Sequence, residues 1–214
     1  MNIKNIIRQA VSATVVLMLI CGLVYPLLMN GIAGLVFPHQ AKGSIIEIDG
    51  KNVGSEIVGQ EFTEDYFMKG RPSAVHYNNY KVDENGNEVF NDGSEFGGVA
   101  TGSQNMGPSN PALAERVEND IASFLEKNPD VKAEDIPGDL MTASGSGLDP
   151  HISVESALIQ LPAIEKASGL SHEELLTIVD NNTKGKLLGV FGNETVNVLG
   201  VNIEIAEAMG LIKA

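Results

Sequence analysis

The sequence is poor in cysteine and in basic residues, and each shortage excludes a class of protein. Its 214 residues include a single cysteine, Cys21, so neither an intramolecular disulfide nor a cysteine zinc cluster can form. Lysine and arginine total 14 against 28 aspartates and glutamates, for a formal net charge of −14. Nucleic acids and anionic lipid surfaces both attract basic segments. We therefore expect no nucleic-acid partner and no electrostatic attraction to anionic lipid.

Charged residues are also absent from a long stretch near the N-terminus. Residues 9–41 contain no Asp, Glu, Lys or Arg, and about 20 apolar residues suffice to cross the roughly 30 Å hydrocarbon core of a bilayer. We predict a transmembrane helix over 9–29. Pro26 should end or kink it, so residues 30–41 are assigned to an apolar interfacial neck. A cleaved signal peptide is the alternative, but its apolar region is normally only about 7–15 residues long.

The charges that flank this stretch predict its orientation. Lys4 and Arg8 precede it, and the positively charged side of a membrane helix stays in the cytoplasm. Residues 1–8 are therefore predicted to be cytoplasmic. Residues 42–214 carry 12 basic and 28 acidic side chains, a net charge of −16, and are predicted to form one extracytoplasmic α+β domain. The expected fold class is a single N-terminal transmembrane helix followed by that domain.

Short β-like runs open the domain. Asp49-Gly50 separates the runs 45–48 and 57–58 and supplies the positive φ angles that a tight hairpin turn needs. The first predicted hairpin is therefore built around this dipeptide.

A second predicted hairpin covers residues 81–90, with Asn85-Gly86 at its turn. The alternating oxygen-bearing side chains around this turn also invite a calcium-loop interpretation. A calcium loop needs Gly at its sixth position, and this sequence has Glu88 there. The hairpin is the better interpretation.

Helix signals follow from residue 110 onward, and the predicted starts coincide with side chains that can accept a hydrogen bond from free helical N–H groups. These starts are Asn110, Ser153, Ser171 and a position near Val196. Pro162 should kink the second helix and Gly169 should end it. The last helix is expected over 196–209, although 197–199 could equally form a strand.

The run 139–153 brings serines, aspartates and a histidine together and invites a hydrolase interpretation. A nucleophile elbow needs Gly two residues before its serine, and Ser144 occupies that position relative to Ser146. Asp149 and His151 could ligate a metal, but two ligands without a third are weak evidence. No phosphate-binding loop is present. The plainer interpretation is a glycine-rich loop, capped by Asp149, that leads into the Ser153 helix.

A second loop, over residues 102–111, is polar and consists of residues typical of turns. It offers amide and hydroxyl groups without a base or a nucleophile. Two interpretations remain open: a surface that docks on a partner or lines a polar pore mouth, and an ordinary connection.

Several runs, in order along the chain, carry a family resemblance. They are Tyr25-Pro26-Leu27-Leu28, Phe37-Pro38-His39-Gln40-Ala41, Gly70-Arg71-Pro72-Ser73-Ala74, Gly107-Pro108-Ser109-Asn110-Pro111-Ala112-Leu113, residues 139–153 and Val196-Asn197-Val198-Leu199. Together they resemble the KdpC family, a subunit of the bacterial Kdp potassium-transporting P-type ATPase. Two departures stand out. Residues 81–98 form an enlarged hairpin, and Ala163 and Glu165 lie near where the family tends to carry an arginine.

The resemblance implies an accessory subunit rather than a catalyst, in the bacterial inner membrane. The implied partners are the channel-like subunit KdpA, the ATP-hydrolysing subunit KdpB and the small subunit KdpF. The implied role is to stabilise the assembly and to act as a catalytic chaperone that raises the ATP affinity of KdpB. Potassium is the transported ion, ATP acts through the complex, and no resident cofactor, catalytic residue or metal ligand is expected.

Ser144, Ser146 and Gln160 are weak candidates for direct nucleotide contact. Such contact would need a cytoplasmic domain, whereas the flanking charges predict an extracytoplasmic one. We therefore favour an indirect effect, in which the domain binds one conformation of its partners better than another. The alternatives are a membrane-anchored extracytoplasmic binding domain and a hydrolase that uses Ser146 and His151.

Overall fold

A computed structural model of the chain describes residues 2–213 and divides it after Ile45 into two compact units. The first unit is helical. Helix α1 (Ile3–Leu19) passes through a π-helical segment (Ile20–Val24) into α2 (Tyr25–Val36), and the short α3 (Pro38–Ala41) follows. The stretch from Ile3 to Val36 is 34 residues long, and an 18-residue part of it has a mean hydropathy of 2.3 and is not buried within the protein. It is long and apolar enough to span a membrane.

The helix does not end at Pro26, although the sequence predicted either an end or a kink there. Helical backbone continues to Val36 and breaks at Phe37, whose φ and ψ are −131° and 61°. A proline ring lacks an N–H and crowds the carbonyl four residues earlier. The π-helical turn over Ile20–Val24 lies directly before Pro26, and its wider bonding pattern accommodates the proline. Residues 30–36, assigned from the sequence to the neck, therefore belong to the helix.

Two small hairpins open the second part of the chain. Strands β1 (Ile45–Ile48) and β2 (Lys51–Ser55) pair across Asp49 and Gly50, whose φ angles are 51° and 72°. The turn prediction is confirmed, but the second strand is β2 rather than residues 57–58. A two-residue turn returns the chain into pairing directly after Gly50, so the strand forms earlier than the apolar pattern indicated.

The second hairpin is also confirmed. Strands β3 (Tyr80–Val82) and β4 (Glu88–Phe90) pair antiparallel, and Gly86 has a φ of 85°. Asp83 Oδ1 accepts hydrogen bonds from the backbone N–H groups of Asn85 and Asn87, both at 2.8 Å. The carboxylate that a calcium loop would offer to the ion therefore stabilises the turn instead.

The rest of the domain consists of helices and a small sheet. The helices are α4 (Pro111–Lys127), α5 (Gly138–Met141), α6 (Val154–Leu158), α7 (Leu161–Ser168), α8 (His172–Asn181) and α9 (Val198–Ala208). Single 3₁₀ turns cover His76–Asn78 and Ala133–Asp135. The remaining strands are β5 (His151–Ile152), β6 (Thr183–Lys184) and β7 (Thr195–Asn197), with β7 in the centre of an antiparallel sheet.

The predicted helix starts are confirmed by their capping bonds. Asn110 Oδ1 accepts from Ala112 N, and Ser171 forms a complete capping box with Glu174. The predicted Ser153 helix is divided into α6 and α7, with Pro162 in the first turn of α7. For the last predicted helix, the helix and the strand alternatives are each correct in part. Strand β7 ends at Asn197, and the side chain of Asn197 then caps α9.

The hydrophobic core joins the central strand to α6, α7, α8 and α9. Val196 of β7 and Ile205 of α9 are fully buried. The clustered core residues are Met68, Ile152, Ala157, Leu161, Ile164, Leu175, Ile178, Val179, Val196, Val198, Val201 and Ile205. The α+β class expected from the sequence is confirmed. Met68 is the single member of this set that belongs to no helix or strand.

Two buried amide side chains hold the backbone around Met68. Asn202 Oδ1 accepts from Met68 N at 2.7 Å, and its Nδ2 donates to Met68 O at 2.9 Å. Gln160 Oε1 accepts from Lys69 N at 2.8 Å, and its Nε2 donates to Lys69 O at 3.2 Å and to Ser156 O at 2.9 Å. Buried backbone polar groups need partners, and here side chains replace a neighbouring strand. We call these two residues the amide clamps.

We expect Asn202→Ala to lower the free energy of unfolding of the domain by at least about 2 kcal/mol, because both polar groups of buried Met68 lose their partners. Denaturant unfolding of the full chain in detergent micelles, followed by circular dichroism, measures the change. Asn181→Ala is the matched control, since Asn181 is exposed and its side chain donates to Glu204 at the surface. Its effect should stay within about 0.5 kcal/mol. Equal losses in both variants would contradict the role assigned to the clamp.

Candidate functional site

Two of the KdpC-like runs, 70–74 and 139–153, meet in one group of interlocked loops, together with the start of the polar loop 102–111. Residues 70–77 bond to residues 139–153, and residues 101–102 bond to the same glycine-rich stretch. We call these three segments the loop cluster. Its side chains show what each sequence motif does in the folded chain.

Arg71 joins two segments of the loop cluster. Its Nη1 forms an ion pair with Asp149 Oδ2 at 3.1 Å, and its Nε and Nη2 donate to Thr142 O at 3.3 and 3.2 Å. The hydroxyl of Tyr77 donates to Arg71 O at 2.7 Å. The pKa of Asp149 is lowered, first by hydrogen bonding from His151 and further by Arg71. The planar guanidinium thus presents three separate nitrogens in fixed directions to a carboxylate and a carbonyl, and the single nitrogen of a lysine lacks this fork.

Ser73 makes a second connection. Its Oγ donates to Gly147 O at 2.6 Å and accepts from Val75 N at 3.2 Å and Tyr77 N at 3.0 Å. Gly147 has a φ of 68°, and a Cβ there would lie 2.7 Å from Gly102 O and 2.8 Å from the Val75 side chain. Only glycine lets the two backbones approach this closely.

Three consecutive non-glycine residues, the last two of the segment 70–77 and the residue after it, adopt positive φ. His76, Tyr77 and Asn78 have φ angles of 47°, 53° and 56°. This conformation is costly for L-residues and persists where surrounding contacts hold it. The Asn78 amide exchanges two 2.9 Å hydrogen bonds with the backbone of Ala100. Burial, together with the negative charge of Asp149, raises the pKa of Tyr77 to about 12.

Asp139 links the loop cluster to the start of α6. Its carboxylate accepts from Ser153 N at 2.7 Å, Ser153 Oγ at 3.1 Å and Ser156 Oγ at 2.6 Å. Burial acts to raise its pKa, but these hydrogen bonds outweigh burial and lower it. Asp139, rather than Asp149, is therefore the carboxylate that anchors the helix after the glycine-rich loop.

The two candidate serines lie together in the loop cluster. Ser144 is buried, and its Oγ accepts from Gly147 N at 2.8 Å and lies 3.4 Å from Ser146 Oγ. Ser146 is exposed, and its Oγ accepts from Leu148 N at 3.1 Å. Within residues 2–213, no hydrogen bond joins Ser146 to His151, whose Nδ1 lies 3.7 Å from Asp149 Oδ1. The arrangement stabilises turns and does not present a serine with an adjacent base.

Gln160, the third candidate, lines a pocket of about 690 Å³ that it shares with part of the loop cluster, including Arg71 and Tyr77. Its side-chain amide is hydrogen-bonded to the backbone N–H and carbonyl groups of Lys69. Lys69 also lines this pocket, and its Nζ donates to Phe62 O at 2.9 Å and to Glu64 O. Burial lowers the pKa of Lys69 to about 8. The aromatic lining residues are Phe62, Phe67, His76, Tyr77 and Phe124. Apart from Gln160, no site prediction from the sequence falls on this pocket, whose segments are distant along the chain.

Asp149 and His151 are the two residues that could ligate a metal by their spacing in the sequence. Within residues 2–213 there is no group of three or more His, Cys, Asp or Glu side chains that could hold a metal ion. Asp149 instead pairs with Arg71.

Comparison with known proteins explains why these runs occur together. The family model described as "KdpC: K+-transporting ATPase, c chain" matches residues 7–207. The chain belongs to the KdpC family. The similar KdpC subunit of Clostridium kluyveri is 53% identical over 205 residues, which covers 96% of this chain and 95% of the relative. That of Clostridioides difficile is 52% identical over 211 residues, with 96% and 99% covered. Both relatives are named "Potassium-transporting ATPase KdpC subunit".

Membership of the KdpC family makes the chain a subunit of a K⁺-transporting ATPase and thus accessory to potassium uptake. A more distant KdpC subunit, from Caldanaerobacter subterraneus subsp. tengcongensis, is 45% identical and covers 94% of both chains. The loop cluster contains the KdpC-like runs 70–74 and 139–153. Their interlocking gives these runs a structural role in the fold.

We expect Gly147→Ala to destabilise the domain by about 2 kcal/mol or more, because its φ is unfavourable for alanine and the new Cβ would overlap Gly102 O. Gly145→Ala is the control within the same loop, since a Cβ there meets nothing within 4 Å. It should change stability by no more than about 0.5 kcal/mol. Thermal unfolding of the full chain in detergent measures both. A Gly147→Ala variant as stable as Gly145→Ala would show that the loops do not interlock in this way.

Proposed function

We propose that the chain is a non-catalytic subunit that stabilises the K⁺-transporting ATPase and raises the ATP affinity of its hydrolysing subunit indirectly. The observation that carries this proposal is the family match over residues 7–207. The proposed partners are the channel-like KdpA, the ATP-hydrolysing KdpB and the small KdpF, with potassium as the transported ion. ATP acts through the complex and is not a ligand of this chain.

The proposed location is the bacterial inner membrane, with one membrane-spanning helix. Lys4 and Arg8 favour a cytoplasmic N-terminus, which makes the acidic domain of residues 42–214 extracytoplasmic. The apolar helix from Ile3 to Val36 supports the single-pass arrangement.

Indirect coupling is favoured by what the three nucleotide candidates do in the folded chain. Ser144 and Ser146 accept hydrogen bonds from backbone N–H groups of their own loop, and the Gln160 amide is bonded to Lys69 and Ser156. An extracytoplasmic domain would also be separated from ATP by the bilayer. A subunit that binds one conformation of its partners more tightly shifts their equilibrium without touching the nucleotide.

Topology is tested by single-cysteine labelling. In a Cys21→Ser background, cysteine replaces exposed Glu134 of the domain in one variant and Asn5 of the N-terminal segment in the other. We expect a membrane-impermeant maleimide, applied to cells with a permeabilised outer barrier, to label position 134 and not position 5. The reverse pattern would place the domain in the cytoplasm and favour direct nucleotide contact.

Indirect coupling is tested by ATP titration of the purified complex. We expect the KM for ATP to rise when the chain is absent and to recover when it is added back. Ser146→Ala should leave the KM unchanged, because the exposed hydroxyl bonds to Leu148 N of its own loop. A raised KM in this variant, with assembly intact, would indicate direct nucleotide contact. A lost hydrolytic activity of the chain itself would instead favour the hydrolase alternative.

A further inference from the structure

The connection between β6 and β7 exposes an unusual amount of apolar surface. Leu187, Leu188, Val190 and Phe191 are 70%, 83%, 74% and 64% exposed. We call these four side chains the apolar tip. Single exposed apolar residues are common on protein surfaces, but contiguous groups of them mark interaction sites.

The apolar tip is an ordered turn. Leu187 N donates to Phe191 O at 2.8 Å, and Val190 N donates to Leu187 O at 3.2 Å. Leu188 and Gly189 occupy the turn with φ angles of 55° and 73°. Such a turn normally has Asn or Asp before its glycine, because positive φ is unfavourable for leucine. The chain therefore places an apolar side chain at the most exposed point, where the local backbone favours a polar one.

Two basic residues directly precede the apolar tip. They are Lys184 and Lys186, and the flanking acidic residues, Asp180 and Glu194, lie farther out on either side. The whole chain has a net charge of −14. A surface that combines apolar side chains with two nearby cations is complementary to an apolar groove with a carboxylate rim.

We propose that the apolar tip is the element by which this chain docks on a partner subunit of the K⁺-transporting ATPase, in an apolar groove rimmed by carboxylates. The proposal rests on the proposed function, since it assumes that the chain is assembled with other subunits. A protein groove fits better than a lipid surface, because residues 42–214 carry a net charge of −16 and anionic headgroups would repel the domain as the tip approached.

The partner that the apolar tip contacts is identified by photo-crosslinking in the assembled complex. A photoreactive amino acid replaces Leu188 in one sample and Val99, which is 85% exposed in a different loop, in the control. We expect position 188 to crosslink to another polypeptide of the complex and position 99 to give much less product. Crosslinks from position 188 to lipid, or to no partner at all, would overturn the proposal.

A substitution separates docking from folding. Leu188→Asn removes the apolar side chain but suits the positive φ of the turn, so the chain should unfold at an unchanged or higher temperature. We expect the amount of this variant recovered with the other subunits to fall by about tenfold, as for the loss of a central interface side chain. Val99→Asn is the control and should be recovered like the unsubstituted chain.

The outcomes distinguish the two proposals. If Leu188→Asn assembles normally and position 188 crosslinks to no subunit, docking through the apolar tip is wrong while the subunit function stands. If the unsubstituted chain itself fails to co-purify with other subunits, the proposed function is wrong as well.

Discussion

The domain depends on two buried amide side chains that pair with one stretch of backbone outside any helix or strand. Asn202 lies 134 residues from Met68 along the chain, and Gln160 lies 91 residues from Lys69. Without them, backbone donors and acceptors would be buried unpaired within the core, each at a cost of about 1–3 kcal/mol. Because the clamps fix this stretch against α9 and the junction of α6 and α7, they also fix the point from which Gly70 and Arg71 enter the loop cluster.

The polar side chains described in the loop cluster form hydrogen bonds with other groups of the same chain. Arg71 and Asp139 each make several hydrogen bonds within the chain, and Ser73 bonds both to Gly147 and to its own segment. Such closure is typical of a rigid scaffold rather than of a catalytic site, where reactive groups face a ligand. Rigidity suits the proposed role, since a subunit can favour one conformation of its partners only if its own surface does not adapt equally to both.

Local features of the fold could be predicted from the sequence, and long-range ones could not. The caps at Asn110 and Ser171 and the turn at Asn85-Gly86 rest on bonds between residues a few positions apart, so short patterns reveal them. The clamps bridge about a hundred residues, and no short pattern encodes such a pairing. The same holds for the positive φ angles of residues 76–78, which tertiary contacts impose. At Pro26 the sequence predicted an end or a kink of the helix. The structure instead has a π-helical turn before the proline, and such a turn depends on the hydrogen bonds of the preceding residues, which the proline alone does not reveal.

The length of the N-terminal helix has a consequence for its path through a bilayer. Its uncharged part, residues 9–36, is 28 residues long and measures about 42 Å at 1.5 Å per residue. A hydrocarbon core of about 30 Å would cover that length only at a tilt of about 40° or more, the upper limit seen for membrane helices. In a bilayer the helix would therefore either be steeply inclined or carry about two apolar turns beyond the lipid, where another protein surface would cover them.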